Sequence, residues 1–518
     1  MMRKYQKYII ASVMAICLMI AYLTTYEYVI YFHEQHHLFR FFGPYLRETL
    51  HEHGLFYLLT EFIVQFSYWT WLGAIIWTAL EVGAYFLTLN AWRRLTGLRD
   101  YICVSGIPSV MMFFSTVSVD IFPERAVKIF ACVLGLWIVS LILSRFVPVI
   151  RRRYQVLNAA PEGKRPWIWL LISLAALGIY AYKGYQDSTA PKEVGLKNGR
   201  TRTFSREERI KQRHSERVMI EAERSLKQKD WGKLYEITQD YAAEGTRNHL
   251  MSYFRAMALY HQGKLLTNLM DYPQTFGVKT LFFPWESDRH CAEFGGYVYE
   301  DLGAVNAAQH WEFEALVGWG ETATHLSNLA RYCIVQGKEE QAKKFIAPLR
   351  HTLYYRGLAR ELDRQLASGE VDGLKNALAD TPQDPARWDN VLNLGADLRY
   401  ILLSDPQNKM AREYAAAYFL LANNLGAFYR NLKEFWPMPE EGYMPPLVEQ
   451  GLVLVQSQIG EAQLQADGYR ISPETEQRFR EFVLELNKGQ NARFTPAQRQ
   501  TYWYYVQRVS PHGRELKF

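Results

Sequence analysis

Five long apolar runs lie within the first 184 residues of this 518-residue chain, and none lies in the remainder. They occupy residues 8–30, 69–92, 101–119, 127–150 and 167–182. Each run has about 16–24 residues, close to the length that an α-helix needs to cross about 30 Å of hydrocarbon. We therefore predict a transmembrane helix bundle of about five spans over residues 1–184, embedded in a lipid bilayer.

The distribution of lysine and arginine predicts the orientation of this bundle. Basic residues are concentrated in three segments: Arg3, Lys4 and Lys7, then Arg93, Arg94 and Arg99, then Arg151, Arg152, Arg153, Lys164 and Arg165. With five spans all three segments fall on one side, which the positive-inside tendency makes cytoplasmic. A six-span alternative splits residues 55–90 and places the first two segments on opposite faces. We prefer five spans, with a short interfacial or re-entrant helix at 55–66.

This orientation also predicts where the rest of the chain lies. The N-terminus is cytoplasmic, and the C-terminal two thirds lie on the other side of a bacterial inner membrane, in the periplasm. The net charge of +6 reflects mainly the basic segments around the spans, so it does not indicate a nucleic-acid partner. Outside the apolar runs the only cysteines are Cys291 and Cys333, and whether they form a disulfide is left open.

The region after the bundle has helical periodicity and no convincing alternating strand, so the predicted fold class is all-α. We predict a polar linker at 185–204, a helical repeat domain at 205–435 and a C-terminal helical block at 436–518. Ser205 and Glu208 have the spacing of a capping box at the start of a helix. The proline-rich stretch at 436–446 cannot form a regular helix and predicts a loop between two helical blocks.

A weak internal repeat runs through the helical region. Glycines that follow predicted helices stand at Gly232, Gly263, Gly303 and Gly337, at separations between 31 and 40 residues. Helix pairs that recur near 34 residues, with glycine turns between them, resemble tetratricopeptide repeats. The alternative is an irregular α-helical domain without a true repeat. Repeat arrays of this kind present a long concave surface that usually binds a protein or peptide partner.

Two further stretches carry a resemblance that covers most of the chain. The first contains Gly54-Leu55, Glu61-Phe62 and Gln65-Phe66, followed by Trp71-Leu72-Gly73-Ala74; the second contains Asp301-Leu302-Gly303 and Trp311-Glu312-Phe313-Glu314-Ala315. Both resemble an uncharacterised family of bacterial multi-pass membrane proteins with a tetratricopeptide-like C-terminal region. The resemblance implies an architecture and supplies no activity.

The sharpest motif in the sequence is His33-Glu34-Gln35-His36-His37, a His-Glu-x-x-His pattern. On one helix, His33 and His37 would hold zinc while Glu34 activates a bound water, and Glu52 would be a third ligand. This pattern supports an alternative function as an integral-membrane zinc metallopeptidase. The Asn-Pro-Asp-Gly segment that accompanies such peptidases is absent, so we interpret the motif as part of an interfacial loop.

Charged residues within the apolar runs form the second group of candidates. Glu81, Lys128 and Arg145 lie within or beside apolar runs, where a charged side chain normally faces an oppositely charged partner or a water-filled cavity. The structural interpretation is a pair of Glu81 with one of the two cations, or a protonated Glu81 within the bundle. The functional alternative is a small transporter or lipid-handling protein. Phosphate-binding loops, dinucleotide fingerprints and nucleophile elbows are absent, which favours a binding scaffold without a cofactor over an enzyme.

Overall fold

Nearly all regular structure in this protein is helical, which confirms the all-α prediction. The computed structural model describes residues 2–159, 166–195, 201–243, 248–284, 289–376 and 394–518. Within them, the named strands are β1 (Lys192–Gly195) and β2 (Thr201–Phe204), which form one antiparallel hairpin.

The chain divides into two compact units. The first contains Met1–Ile220, Glu321–Thr324 and Ala347–Ala359, and the second contains Glu221–Gly320, His325–Ile346 and Arg360–Phe518. The first unit therefore includes two short segments from the middle of the chain.

The helices before the hairpin are α1 (Met2–Ile20), α2 (Glu27–Gln35), α3 (Gly43–Glu52), α4 (Leu55–Val64), α5 (Thr70–Thr96), α6 (Ile107–Thr116), α7 (Glu124–Phe146), α8 (Pro148–Ala159) and α9 (Pro166–Ser188).

Four helical segments of the first unit are long and apolar enough to cross a membrane. They are Tyr5–Thr25, Thr70–Thr96, Glu124–Phe146 and Trp167–Ser188. These four segments overlap four of the five predicted spans. The first is a continuous helical stretch because α1 runs into a π-helical turn at Ala21–Thr25.

The remaining predicted span, at 101–119, is shorter than expected, so five spans are not confirmed. The apolar helical segment there is Val104–Thr116, formed by a 3₁₀ turn and α6. At about 1.5 Å per residue it extends about 20 Å. The Asp100 carboxylate fixes the start, because it accepts hydrogen bonds from the backbone N–H groups of Val104 and Ser105 at 2.8 Å each.

Neighbouring contacts give the direction of each long helix in the first unit. Tyr8, early in α1, contacts the ring of Phe86, late in α5, so α1 and α5 are antiparallel. Gly83 faces Phe130, while Arg94 lies 3.4 Å from the Ser144 hydroxyl, so α5 and α7 run the same way. Gly106, just before α6, approaches Leu177 in the middle of α9, and Phe114 near the end of α6 approaches Gly184 near the end of α9. Helices α6 and α9 therefore run the same way. On α6, the Ser109 hydroxyl donates to the Glu81 carbonyl of α5, and Cys103, just before α6, packs in one cluster with Tyr85, one turn further along α5, so α6 runs opposite to α5. Helices α1, α6 and α9 therefore run opposite to α5 and α7.

This arrangement brings basic segments together at one end of the helices. The Arg94 guanidinium lies 4.9 Å from the ring centroid of Tyr154 on α8, and Gly97 approaches Arg153. The start of α1, with Lys7, lies near the end of α5 because Tyr8 contacts Phe86 there. One described residue from each basic segment, namely Lys7, Arg94 and Arg153, thus lies at the same end of this unit.

The predicted linker contains regular structure. Helix α9 extends to Ser188, and the β1–β2 hairpin follows it. The guanidinium groups of Arg209 and Arg213 donate to the Ser188 carbonyl at 3.2 and 3.0 Å. The predicted domain boundaries at 184, 204 and 435 stay predictions.

The second unit consists of helices joined mostly by short turns. Helix α10 (Arg206–Lys227) begins in the first unit, with the predicted capping box at Ser205 and Glu208 confirmed by two reciprocal hydrogen bonds. The helices that follow are α11 (Trp231–Ala243), α12 (His249–His261), α13 (Leu265–Asn268), α14 (Arg289–Leu302), α15 (Val305–Trp319), α16 (Ala323–Val335), α17 (Glu339–Arg350), α18 (Arg356–Ser368), α19 (Leu394–Ser404), α20 (Lys409–Leu421), α21 (Leu425–Phe435), α22 (Pro446–Ile459), α23 (Glu461–Ala466), α24 (Pro473–Leu486), α25 (Pro496–Arg499) and α26 (Tyr502–Tyr504).

One turn geometry recurs between these helices. A residue with positive φ donates its N–H to the carbonyl three residues earlier, and the next residue donates to the carbonyl five residues earlier, which is a Schellman motif. The positive-φ residues in these turns are Lys229, Gly263, Gly303, Gly337, Asn423 and Gly468. Three of the four predicted glycine turns are therefore turns of this kind. Gly232 is not, because it lies inside α11 and the left-handed residue of that turn is Lys229.

Helices α14 and α15 approach each other closely through glycine. A Cβ atom at Gly295 would lie 2.5 Å from the indole of Trp311, and one at Gly296 would lie 3.1 Å from the Ala308 carbonyl oxygen. Trp311 is buried in this contact, so it belongs to the core. The pair packs at this distance only because both positions lack a side chain.

Two further features of the second unit concern the proline-rich stretch and the two cysteines. Helix α21 ends at Phe435 and α22 begins at Pro446, so the predicted loop at the proline-rich stretch is confirmed. The cysteines Cys291 and Cys333 are separate thiols. Cys333 is buried, and its Sγ lies 3.3 Å from the Gln309 side-chain amide.

Candidate functional site

The His-Glu-x-x-His motif is divided by a helix end. Helix α2 ends at Gln35 and His36 is its C-cap, so His37 lies beyond the helix. The ring centroids of His33 and His37 are 6.1 Å apart. The uninterrupted helix that the zinc interpretation requires is therefore not formed through His37.

The imidazole rings of His33 and His37 both donate hydrogen bonds to backbone carbonyl groups. Nε2 of His33 donates to the Ser118 carbonyl at 2.8 Å, and Nδ1 of His37 donates to the His33 carbonyl at 2.8 Å. The His37 ring also stacks on Phe122, with centroids 4.1 Å apart. Burial lowers the pKa of His33 to about 3 and that of His37 to about 4, so both are neutral at neutral pH. The contacts of His33 with Ser118 and of His37 with Phe122 connect the end of α2 to the segment 117–123.

Glu34 is a structural acceptor. Its side chain is buried, and its carboxylate accepts hydrogen bonds from the Tyr355 hydroxyl and from the Gln35 amide. Tyr355 belongs to the Ala347–Ala359 segment of the same unit. A carboxylate held in this way is not positioned to activate a metal-bound water. No local pattern predicts this pair, because 321 positions separate its members.

The proposed third zinc ligand does not complete the set. Glu52 is exposed at the end of α3, where its carboxylate lies 3.9 Å from His53 Nε2. Within the part of the chain that the structure describes, no three His, Cys, Asp or Glu side chains form a group that could hold a metal ion. The residues present therefore do not fit a catalytic zinc, and we derive no peptidase chemistry from them.

The Ala347–Ala359 segment makes several more contacts with the motif's surroundings. The Phe41 N–H donates to the His351 carbonyl at 2.7 Å, and the His351 ring stacks on Phe42. Tyr354 stacks in parallel on Tyr68, with centroids 5.0 Å apart. The motif thus lies at an aromatic junction of the first unit.

Glu81 is completely buried among the long helices. The Tyr22 hydroxyl donates to Glu81 Oε1 at 2.5 Å and lies 2.6 Å from Thr116 Oγ1. Tyr22 reaches this position from the π-helical turn Ala21–Thr25, a type of distortion that often occurs at functional positions. No described residue hydrogen-bonds to Glu81 Oε2. Glu81, Tyr22 and Thr116 thus join α5, the end of α1 and α6.

Neither predicted cation pairs with Glu81. Lys128 forms an ion pair with Glu124 at 2.8 Å, one turn earlier on α7, and its side chain is half exposed. Arg145 is exposed near the end of α7. The expected structural pair is therefore not formed, because both cations lie on exposed faces of α7. A nearby apolar cavity between α1, α6 and α9 has a volume of about 380 Å³, and Glu81 is not among its lining residues.

A candidate binding surface lies on α15 in the second unit. Ala308, Trp311 and Ala315 are buried, while one face is exposed; we call it the α15 stripe, and it consists of Asn306, His310, Phe313, Glu314 and Val317. Val317 is 82% exposed, and the Phe313 ring contacts Phe345 on α17. No partner-binding residue was predicted from the sequence, although the helical spacing of this stripe is visible in it.

A comparison with protein-family models places this chain in a family of unknown function. A model described as "Family of unknown function (DUF6057)" matches residues 3–159 and 144–508, so the chain belongs to this family. No curated protein and no solved structure matches the chain. The expected membership of a family of unknown function is confirmed.

Proposed function

From membership of this family, we propose that the protein is a multi-pass inner-membrane protein of bacteria whose C-terminal helical region binds a protein or peptide outside the cytoplasm. The observation that carries the proposal is the recurrence of one Schellman turn between successive helices of the second unit. Helical hairpins that repeat a turn in this way form arrays, here a tetratricopeptide-like one. Their extended surfaces typically bind other proteins.

The membrane part of the proposal rests on hydropathy and charge. Four helical segments have the length and composition of membrane spans, and α6 runs between them in the direction of a fifth crossing. One residue from each basic segment, namely Lys7, Arg94 and Arg153, lies at one end of the unit, and the positive-inside tendency makes that end cytoplasmic. Because α9 runs away from this end, as α1 does, the second unit that follows α9 lies in the periplasm.

We assign partner contact to the α15 stripe. Phe313 and Val317 expose apolar surface one helical turn apart, with His310 and Glu314 beside them. Aromatic and aliphatic anchors ringed by polar groups are the usual centre of a protein interface.

Site-specific photo-crosslinking in native membranes tests this assignment. A benzophenone amino acid at Val317 should give a discrete crosslinked adduct, and the same group at Leu484, an exposed leucine of α24, should give none. The double substitution Phe313→Ser and Val317→Ser should abolish co-purification of the crosslinked partner, while Leu484→Ser retains it. Equal adducts at both positions, or none at either, would contradict the assignment.

Labelling of single cysteines in intact cells, in a background without the native cysteines, tests the orientation. A membrane-impermeant maleimide should react with Val317→Cys and should not react with Arg152→Cys until the inner membrane is opened. The reverse pattern would place the second unit in the cytoplasm and overturn the proposed compartment.

A further inference from the structure

Arg255, on α12 in the second unit, is a buried cation whose guanidinium has no hydrogen-bond partner among the described residues. The residue is 5% exposed. Its Nε, Nη1 and Nη2 atoms are all buried, and none has a hydrogen-bond partner among the described residues. Buried arginines normally satisfy their five N–H donors, because burying an uncompensated charge is strongly unfavourable. Such a group indicates a ligand that completes it.

Stacking leaves the guanidinium edge available. The guanidinium carbon lies 3.7 Å from the ring centroid of Tyr272, and 5.9 Å from that of Tyr235. Cation–π contact of this kind stabilises the face of the group and uses none of its N–H donors. The donors lie in the guanidinium plane, where they match two oxygens of a planar acid.

Arg255 lines a cavity of about 210 Å³ between α11, α12 and the segment 269–280. Its wall combines polar side chains, such as Thr238, Ser252 and Thr280, with apolar ones, such as Met251, Leu259 and Phe276. Thr280 Oγ1 is buried and likewise has no hydrogen-bond partner in the described part of the chain. The cavity wall therefore combines the Arg255 cation, a hydroxyl group that has no hydrogen-bond partner among the described residues, and apolar surface.

The charge of the cavity selects the charge of its ligand. Asp271, the acid that most affects Arg255, accepts a hydrogen bond from Asn268 at 2.8 Å and none from Arg255. Burial lowers the pKa of Arg255, but a guanidinium stays protonated at neutral pH. One positive charge balances one negative charge, whereas a doubly charged phosphate would bury an excess charge.

We propose that this cavity binds a small organic monocarboxylate. Its two oxygens accept hydrogen bonds from the edge of Arg255, and the Thr280 hydroxyl donates a further one. The apolar part of the molecule packs against Met251, Leu259 and Phe276. This site is independent of the partner-binding proposal, because it uses neither the α15 stripe nor the membrane orientation.

Calorimetric titration of the full-length protein, in neutral detergent, tests the site. The probes are acetate, butyrate, hexanoate and benzoate, with hexanamide, hexylamine and inorganic phosphate as comparisons. We expect saturable binding of at least one carboxylate and at least tenfold weaker binding of hexanamide, hexylamine and phosphate. Tighter binding of phosphate than of every carboxylate would overturn the charge argument.

Four variants separate recognition from folding. Arg255→Met should abolish carboxylate binding, and Arg255→Lys should weaken it about tenfold because a lysine lacks the planar fork. Ser252→Leu fills the cavity while keeping the arginine, and it should also abolish binding. Arg399→Met, at an exposed ion pair with Glu434, should bind as the native protein does. Native-like circular dichroism of each variant is the folding control, and no carboxylate binding by the native protein would refute the site.

Discussion

Two arginines of the second unit are both largely buried, yet their surroundings differ completely. Arg331 is 20% exposed, and its guanidinium lies 2.9 and 3.4 Å from the two Glu300 oxygens and 3.2 Å from Asn328 Oδ1. Arg255 is more deeply buried and has no hydrogen-bond partner among the described residues. Burial alone therefore does not distinguish a structural charge from a binding site. The set of partners does.

The Glu300 cluster shows what a completed buried charge looks like. Its carboxylate also accepts a hydrogen bond from the Tyr332 hydroxyl at 2.8 Å and lies 3.6 Å from Lys229 Nζ. Burial by itself would raise the pKa of Glu300, but Arg331, Lys229 and Tyr332 together hold it below its ordinary value. This cluster joins α14 to α16 and to the Lys229 turn, so its function is structural.

The largest expected effect is the removal of the satisfied arginine. Arg331→Met leaves Glu300 buried without its main partner, and should lower the local free energy of unfolding of α14 and α16 by about 3–5 kcal/mol. Native-state hydrogen exchange measures this locally. The matched control Arg399→Met breaks an exposed pair and should cost at most about 1 kcal/mol. Equal losses of unfolding free energy in the two variants would mean that the buried Arg331–Glu300 pair stabilises the fold no more than an exposed pair does.

An intermediate case lies on α10 and α14, where one lysine serves two acids. Lys227 Nζ lies 2.6 Å from Glu293 Oε1, while burial and the Glu293 charge raise the pKa of Glu223 to about 8. The folded state therefore binds a proton that the unfolded chain releases near pH 4.5. Stability contributed by this group is present at low pH and is lost as the pH rises through 8.

We expect the local stability of α10 and α14 to fall by roughly 2–3 kcal/mol between pH 5 and pH 9. Glu223→Gln should flatten this dependence, because an amide does not titrate. Hydrogen exchange at several pH values, corrected for the intrinsic exchange rate, is the measurement. An unchanged slope in the variant would assign the dependence to another group.

In the first unit, Glu34 is a buried carboxylate with a hydrogen-bond donor, as Glu300 is in the second. Tyr355→Phe removes a donor to this buried carboxylate and should destabilise the Ala347–Ala359 segment by about 1–2 kcal/mol. Glu34→Gln keeps an acceptor for Tyr355 and should cost less. Exchange protection near His351 distinguishes the two. A larger loss in Glu34→Gln would show that the charge itself is needed there.

The smallest expected effect has the opposite sign. Arg255→Met removes an unsatisfied buried charge, and without carboxylate it should leave stability unchanged or raise it by about 1 kcal/mol. Thermal unfolding with and without added hexanoate is the measurement. Only the native protein should gain stability from the ligand. A loss as large as that of Arg331→Met would mean that Arg255 is already satisfied.

The sequence predicted those parts of the structure that depend on local patterns. Four apolar helices, the Ser205 capping box, the break before Pro446 and three glycine turns all follow from neighbouring residues. The shortened third span was missed because the Asp100 cap overrides an apolar run. Lys229 was missed because lysine rarely adopts positive φ.

The sites were less accessible to prediction for a different reason. The Glu34–Tyr355 and Glu300–Arg331 pairs join positions far apart in the chain, and no local periodicity predicts such pairs. The ligand site proposed at Arg255 depends on the lack of a hydrogen-bond partner among the described residues, which only the folded arrangement reveals. The His-Glu-x-x-His pattern suggested chemistry that the end of α2 at Gln35 does not support.

The contact between Gly295 and Trp311 has an evolutionary consequence. Wherever a chain of this family carries tryptophan at the position of Trp311, a side chain larger than hydrogen at the position of Gly295 would force α14 and α15 apart. The two positions should therefore change together during divergence, with the indole lost before or alongside the glycine. Covariation at this pair would trace how far the same helix spacing has been inherited.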